Sequence, residues 1–473
     1  MTQKTKNLLR LILLFLISRL IIYALGIHFN TTPLTWYFQY LDPIDLRLHL
    51  FQSLFYLHSQ PPGFNLFLGL VLNVVPGYEV MIFHITYITM GLIVTLILFM
   101  VLTKFNISPS VAFSICLFFA VSPPVILYEN WLFYTYPVFF LLLLSAFFLY
   151  KFIENSRMSY VFFFFVSCAL IVLTRTLFQA IWFLFIFIGL LFFNRRNAKK
   201  IFLAALVPFV FIAFFYIKNY VIFKEASLSS WLGMNLIKMT FTIPQSTLQS
   251  AVERGEVSEI ALIKPFRDPE VYREYANFDT ITGIPALDKE YKSTGAINFN
   301  HVSYISISRM YYTAAIFLIK KFPWYYGFSI IKAFYTYLQP CSSFQESPNT
   351  EKLKVWTHIY EYYVLGNILE KIWTTTYTNR FNQQRKIHVN FLFIFIPIIY
   401  AWGIVLAIRG KKLFGFTESQ ALLIKYMMFN ILYTMFIGNF IEAGENMRFR
   451  FLIVPFIYIL IALFIKHIIS RKT

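Results

Sequence analysis

Charge is scarce in this sequence. Only 13% of its 473 residues are Asp, Glu, Lys or Arg, against roughly a quarter in soluble domains. A soluble chain so poor in charge would lack the polar surface to cover itself, and lipid is the solvent that removes the problem. Cysteine is sparse too: Cys116 and Cys168 fall inside apolar runs and only Cys341 in a polar region. No disulfide framework follows, and cysteine usage does not identify a compartment. Zinc-like Cys/His spacing is missing, and so is any basic helix with interleaved aromatics. The net charge of +19 therefore does not point to nucleic acid. There is no internal repeat and no low-complexity tract.

What is present is apolar and aromatic: 58% hydrophobic residues, 57 Phe and 31 Tyr, with a mean hydropathy of +0.64. A spanning helix needs about 20 mostly apolar residues. About ten candidates follow, near 8–27, 79–103, 108–127, 133–152, 158–174, 177–193, 199–222, 389–408, 420–438 and 450–468. The first run follows Lys4, Lys6 and Arg10 like a signal peptide, but Arg19 interrupts it and no small-x-small site ends it, so it reads as an uncleaved span. Basic residues crowd both termini and the connections near 104, 155, 197 and 412, whereas the opposite short connections hold only Arg47, Arg175, Arg448 and Arg450. The positive-inside rule puts both ends in the cytoplasm.

The expected fold is an all-α polytopic membrane bundle in three parts: a transmembrane module at 1–222, an extracytoplasmic segment at 223–388 and C-terminal transmembrane helices at 389–473. Within the middle part, 250–300 is charged and punctuated by Pro265, Pro269 and Pro285, as in a small subdomain. Ile305 to Leu338 is apolar but broken by Lys320, Lys321 and Pro323. It reads as helices lying at the membrane surface, with an extra pair of spans as the alternative.

Three outer connections carry groups able to do chemistry. The first holds Asp42 and Asp45, then His58, Gln60 and the pair Pro61-Pro62, which starts a helix too short to span. The second holds Glu129, the one acid in a very apolar stretch, and an ionisable group there is a functional hypothesis by default. Resting at headgroup level is its bland alternative. The third is Glu442-Ala-Gly-Glu445-Asn446-Met-Arg448-Phe-Arg450. Its arginines either offset the two glutamates or form a fork for phosphate. Arg175 lies near an outer end, and Arg19, deeper in an apolar run, needs a partner.

In their order along the chain these elements resemble the GT-C glycosyltransferases, closest to the protein O-mannosyltransferase and aminoarabinose-transferase branch. The matching pieces are the acidic first loop (Asp42, Asp45), Gln60-Pro61-Pro62, Glu129 in the second loop, the long outer segment, and Glu445-Asn446-x-Arg448 before the last span. The first loop departs from the family's Asp-Glu pair, reading Asp42-Pro43-Ile44-Asp45. The resemblance implies an inverting transfer of a sugar from a polyprenyl-phosphate carrier to an acceptor hydroxyl on the outer or lumenal face. Asp42 is then the general base, with Asp45 or Glu129 orienting the acceptor. His58, Gln60, Glu445 and Asn446 belong to the substrate site, and Arg175, Arg448 and Arg450 meet the leaving phosphate. No permanently bound cofactor and no metal is expected, and the bilayer, the lipid-linked sugar and an acceptor are the partners. The bacterial inner membrane and the endoplasmic reticulum both fit. The rival readings are a transporter or flippase, a non-catalytic envelope-glycan assembly subunit, and a polymerase or ligase of lipid-linked glycans.

Overall fold

The computed structural model describes residues 2–344 and 348–470. Helix α1 (Gln3–Ala24) leads into the first outer connection, which contains α2 (Pro43–Leu48) and α3 (Pro62–Val74). Next come α4 (Glu79–Lys104), α5 (Pro109–Ala120), α6 (Pro123–Glu129) and α7 (Thr135–Asn155). Helices α8 (Met158–Val172), α9 (Ala180–Phe193) and α10 (Ala198–Phe223) complete the first half. The long outer segment carries α11 (Ser303–Lys321), α12 (Pro323–Tyr337) and a hairpin of β1 (Thr374–Thr378) and β2 (Gln384–His388). The chain closes with α13 (Leu392–Phe414), α14 (Glu418–Ile441), α15 (Asn446–Phe451) and α16 (Val454–Ser470).

Among the described residues, six helices are long and apolar enough to cross a membrane, or seven if α5 and α6, bent by 57°, count as one broken span. This is the architecture of a multi-pass integral membrane protein, and it corrects the expected count of ten. The runs at 158–174, 177–193 and 450–468 became α8, α9 and α16, with 15, 14 and 17 residues. At 1.5 Å per residue each covers about 20–25 Å, short of a hydrocarbon core of about 30 Å. Neither α11 nor α12 qualifies as a span, since Arg309, Lys320 and Lys321 charge the first and Pro323 restarts the chain as the second.

Local chemistry sets the helix ends. Asp42 caps α2 by accepting from the Ile44 amide, and Pro43 occupies the first turn. Thr417 and Gln420 form a reciprocal capping box on α14. The Ser122-Pro123-Pro124 break bends α5 into α6. The all-α expectation is also corrected: Thr374–Thr378 pairs antiparallel with Gln384–His388. That first strand is a Thr-rich, β-branched run suited to a pleated surface, and Asn382 takes a left-handed conformation in the turn.

Helix α7 is the axis of the bundle, packed against α4, α8 and α14. A second, smaller core lies in the long middle segment, where Trp231, Met234, Leu248 and Tyr272 cluster with Tyr304, Ile307 and Tyr311 of α11. The hairpin is clamped to this subdomain by Arg380, which donates to the carbonyls of Thr240 (2.7 Å) and Ala261 (3.0 Å).

Candidate functional site

The connections expected on the outer side converge on one cavity of about 600 Å³. Tyr37, Phe38, Gln39 and Gln60 come from the first connection, Trp131, Phe133 and Tyr134 from the second, and Arg175 to Leu177 with Gln179 from the α8–α9 turn. The long outer segment adds Ser229, Trp231, Leu232, Asn235 and Lys238, and the α14–α15 turn adds Glu442, Glu445, Arg448 and Phe449. The lining includes four aliphatic side chains, Leu177, Leu232, Ile437 and Ile441.

Two guanidinium groups dominate the charge. Arg175 follows α8, with its amide bonded to the Ile171 carbonyl at 3.0 Å, and is 3% exposed. Its guanidinium carbon lies 5.1 Å from the ring centres of both Tyr134 and Phe449, while its Nε and Nη1 are buried with no hydrogen-bond partner among the described residues. Burial, reinforced by neighbouring Arg448, lowers its pKa to about 10, which leaves it cationic at neutral pH. Arg448 pairs with Glu445 at 3.0 Å and lies 5.0 Å from the Phe133 ring. Burial opposes its charge, but Glu445, Tyr134 and Glu442 outweigh burial and raise its pKa. Lys238 stands 3.9 Å from Glu442. Three cations thus face two carboxylates, and a desolvated guanidinium with idle donors favours an anionic group.

Asn446 shapes this turn without lining the cavity. Its amide donates to the carbonyl of Glu442 (2.8 Å) and to Asn439 Oδ1 (3.0 Å), and its Oδ1 accepts from the Gly444 amide (2.9 Å). It holds Glu442 and Glu445 in place. Arg450 turns away, donating to the carbonyls of Tyr337 and Gln339 at the end of α12.

The remaining acidic candidates are committed elsewhere. Glu129 forms a two-pronged pair with Arg19, at 2.7 and 2.8 Å, and also accepts from Tyr136 at 2.9 Å. Gly91 makes room, because a Cβ there would lie 2.2 Å from Glu129 Oε2. Glu129 is therefore the partner that buried Arg19 needs, not a group presented to the cavity. Asp42 and Asp45 fasten a loop of the outer segment. Asp42 accepts from the Ser293 amide (2.7 Å) and hydroxyl (2.6 Å), and Asp45 pairs with Lys289 at 2.8 Å. Burial raises the Asp42 pKa, but the bonds from Ser293 and Ile44 outweigh it and the net shift is downward, which weakens the group as a base. His58 is a buried clasp between Ser230 Oγ (2.8 Å) and the Asn300 carbonyl (2.9 Å), with desolvation lowering its pKa to about 3.

Of the residues expected at a site, Gln60, Arg175, Glu445 and Arg448 meet in the cavity, while Asp42, Asp45, His58, Glu129, Asn446 and Arg450 do not line it. Glu442, Lys238 and the aromatic wall had no assigned role. Lys238 has no motif of its own, whereas Trp131, two residues after Glu129, and Trp231, after the Ser229-Ser230 pair, are large aromatics beside polar residues and offered a signal. Among the described residues no group of three or more His, Cys, Asp or Glu could hold a metal ion. The molecule is thus a multi-pass helical protein with a cationic, aromatic-walled cavity at the end of its bundle. No protein-family model, curated protein or solved structure matches this chain.

Proposed function

We propose that the chain is a membrane glycosyltransferase that takes a sugar from a polyprenyl-phosphate carrier and passes it to an acceptor hydroxyl. The observation that carries this reading is Arg175, a buried cation that lines a cavity also lined by aliphatic side chains, and whose Nε and Nη1 have no hydrogen-bond partner among the described residues. A phosphate attached to a hydrocarbon chain satisfies both features: the charge meets Arg175 and Arg448, and the chain lies along Leu177, Leu232 and Ile437. Aromatic faces such as Trp131 and Trp231 suit a sugar ring.

In the proposed reaction the acceptor oxygen attacks the anomeric carbon as the bond to the phosphate oxygen breaks. The acceptor proton passes to a carboxylate, and polyprenyl phosphate leaves with the bonding electrons, its new charge met by the guanidinium pair. A single displacement inverts the anomeric centre. Of the carboxylates in the cavity, Glu445 is paired with Arg448 at 3.0 Å, whereas Glu442 has only the looser Lys238 contact at 3.9 Å. The base role accordingly moves from Asp42 to Glu442.

The test is reconstitution in nanodiscs with a radiolabelled polyprenyl-phosphate hexose, following both binding and loss of sugar from the carrier. Saturable binding with sugar release to a membrane-extract acceptor is expected. Failure to bind the carrier would overturn the reading, and binding with flipping but no sugar release would make the protein a carrier-lipid transporter.

A further inference from the structure

A second cavity, of about 740 Å³, lies on the other side of the Glu442–Glu445 turn. Its walls are the end of α12, the segment 358–370 and strand β2, and Glu445 lines both this cavity and the first. The lining is of another kind. Three carboxylates, Glu361, Glu370 and Glu445, face two fixed cations, Arg385 and Lys386, so the charges nearly balance. Amides and hydroxyls fill the space between them, and the aliphatic side chains of the first cavity have no counterpart here. Two polar atoms of lining residues, Arg385 Nη1 and Asn367 Oδ1, are buried without a hydrogen-bond partner among the described residues. One is a donor and the other an acceptor, and a hydroxyl group combines both functions.

The site is built rather than incidental. Gln339 clasps the backbone of His388 from both sides, donating to its carbonyl at 3.0 Å and accepting from its amide at 3.2 Å. Arg450 in turn holds the Gln339 carbonyl at 2.6 Å. The hairpin wall is thereby fixed to the end of α12 and to α15, the helix that follows the Glu445 turn. Glu361 is held from behind by Ser342.

We infer that this second cavity binds a neutral, hydroxyl-rich ligand, a carbohydrate chain, and delivers it across Glu445 to the cationic cavity. That the chain acts as the acceptor rests on the function proposed above; the carbohydrate site itself does not. Mixed carboxylate, amide and guanidinium groups match the alternating donors and acceptors of vicinal hydroxyls, and Tyr362 offers a ring face. A lipid tail has nothing to gain here, and a strongly anionic ligand would meet three carboxylates.

The test is saturation-transfer NMR on the full chain in nanodiscs, with maltotriose and chitotriose as probes. Saturable contact with at least one is expected. Arg385→Met and Asn367→Leu should each weaken it by about tenfold or more, the loss of one or two hydrogen bonds to buried groups. Arg175→Ala should leave it within about twofold. Unchanged melting temperatures of the variants identify the effect as local. No saturable contact by either sugar, or full binding by both second-cavity variants, overturns the inference. Sugar binding here without any transfer from the carrier upholds the site and removes its acceptor role. Transfer from the carrier with no sugar bound here upholds the transfer reading and removes this site.

Discussion

Arg175 and Arg448, 273 positions apart in the sequence, share one aromatic ring: their guanidinium carbons lie 5.1 and 6.0 Å from the centre of Tyr134. Two buried like charges on one ring repel each other unless negative charge lies between them. Glu445 supplies part of it, to Arg448. Arg175 remains the group with idle donors.

Replacing Arg175 with Ala should weaken binding of a polyprenyl phosphate by roughly 10- to 100-fold, the loss of a hydrogen-bonded charge contact. Arg175→Lys should recover only part, because an ammonium cannot stack and fork as guanidinium does. Titration of the reconstituted protein with a fluorescent polyprenyl phosphate measures both. Equal affinity for wild type and Arg175→Ala would place the phosphate elsewhere.

Glu442→Gln should lower turnover by about 100- to 10,000-fold, the range for a general base, while carrier binding stays near wild type. Asp42→Asn should instead loosen the loop at Ser293, seen as faster amide hydrogen exchange there, with turnover falling in proportion. An Asp42→Asn protein that keeps its loop protection yet is inactive would return the base role to Asp42.

Arg19 and Glu129 form a buried pair, and removing one partner leaves an uncompensated charge. Either Arg19→Ala or Glu129→Ala should destabilise the protein by about 3–5 kcal/mol. An Arg19→Met, Glu129→Leu double variant should recover much of that loss. Gly91→Ala should be damaging without removing either charge, since its Cβ would lie 2.2 Å from Glu129 Oε2. Thermal unfolding in detergent distinguishes these cases, and a fully stable Glu129→Ala variant would refute the structural role.

Acid should loosen the outer connections. Folded His58 stays neutral down to about pH 3, whereas the unfolded chain protonates it near 6.5. Unfolded chains therefore bind the extra proton, and stability falls as pH drops below 6.5, by up to about 1.4 kcal/mol per pH unit, until the folded ring also protonates. Asp42 acts lower on the scale. Its pKa is held below 3.8, so its contribution is present above that value and is lost as pH falls through the folded pKa. The melting temperature between pH 7 and 5 should drop less in His58→Gln than in wild type. An identical slope would show that His58 is not the titrating group.

The spans at 79–103 and 420–438 were legible because a helix in lipid needs only composition and length, and the sequence carries both. Helices α8, α9 and α16 looked like full spans because flanking apolar residues lengthened the runs. Their true ends depend on where neighbouring elements turn the backbone, as when the Gly63 amide bonds the Leu173 carbonyl at 2.6 Å. Hairpin β1–β2 was hidden because its strands are stabilised by contacts such as Arg380 with Thr240 and Ala261, far away in sequence.

The sequence alone determined the solvent of this protein and the proline-started short helix Pro62–Val74, because hydropathy and proline act locally. Only the tertiary structure decided what each ionisable residue does. Asp42 and Glu129 are as conspicuous in the sequence as Arg175. Yet Ser293 and Arg19 bind the first two, and the third lines a cavity with its Nε and Nη1 unpartnered among the described residues. A charged group's role depends on who neutralises it, and those partners come from distant parts of the chain.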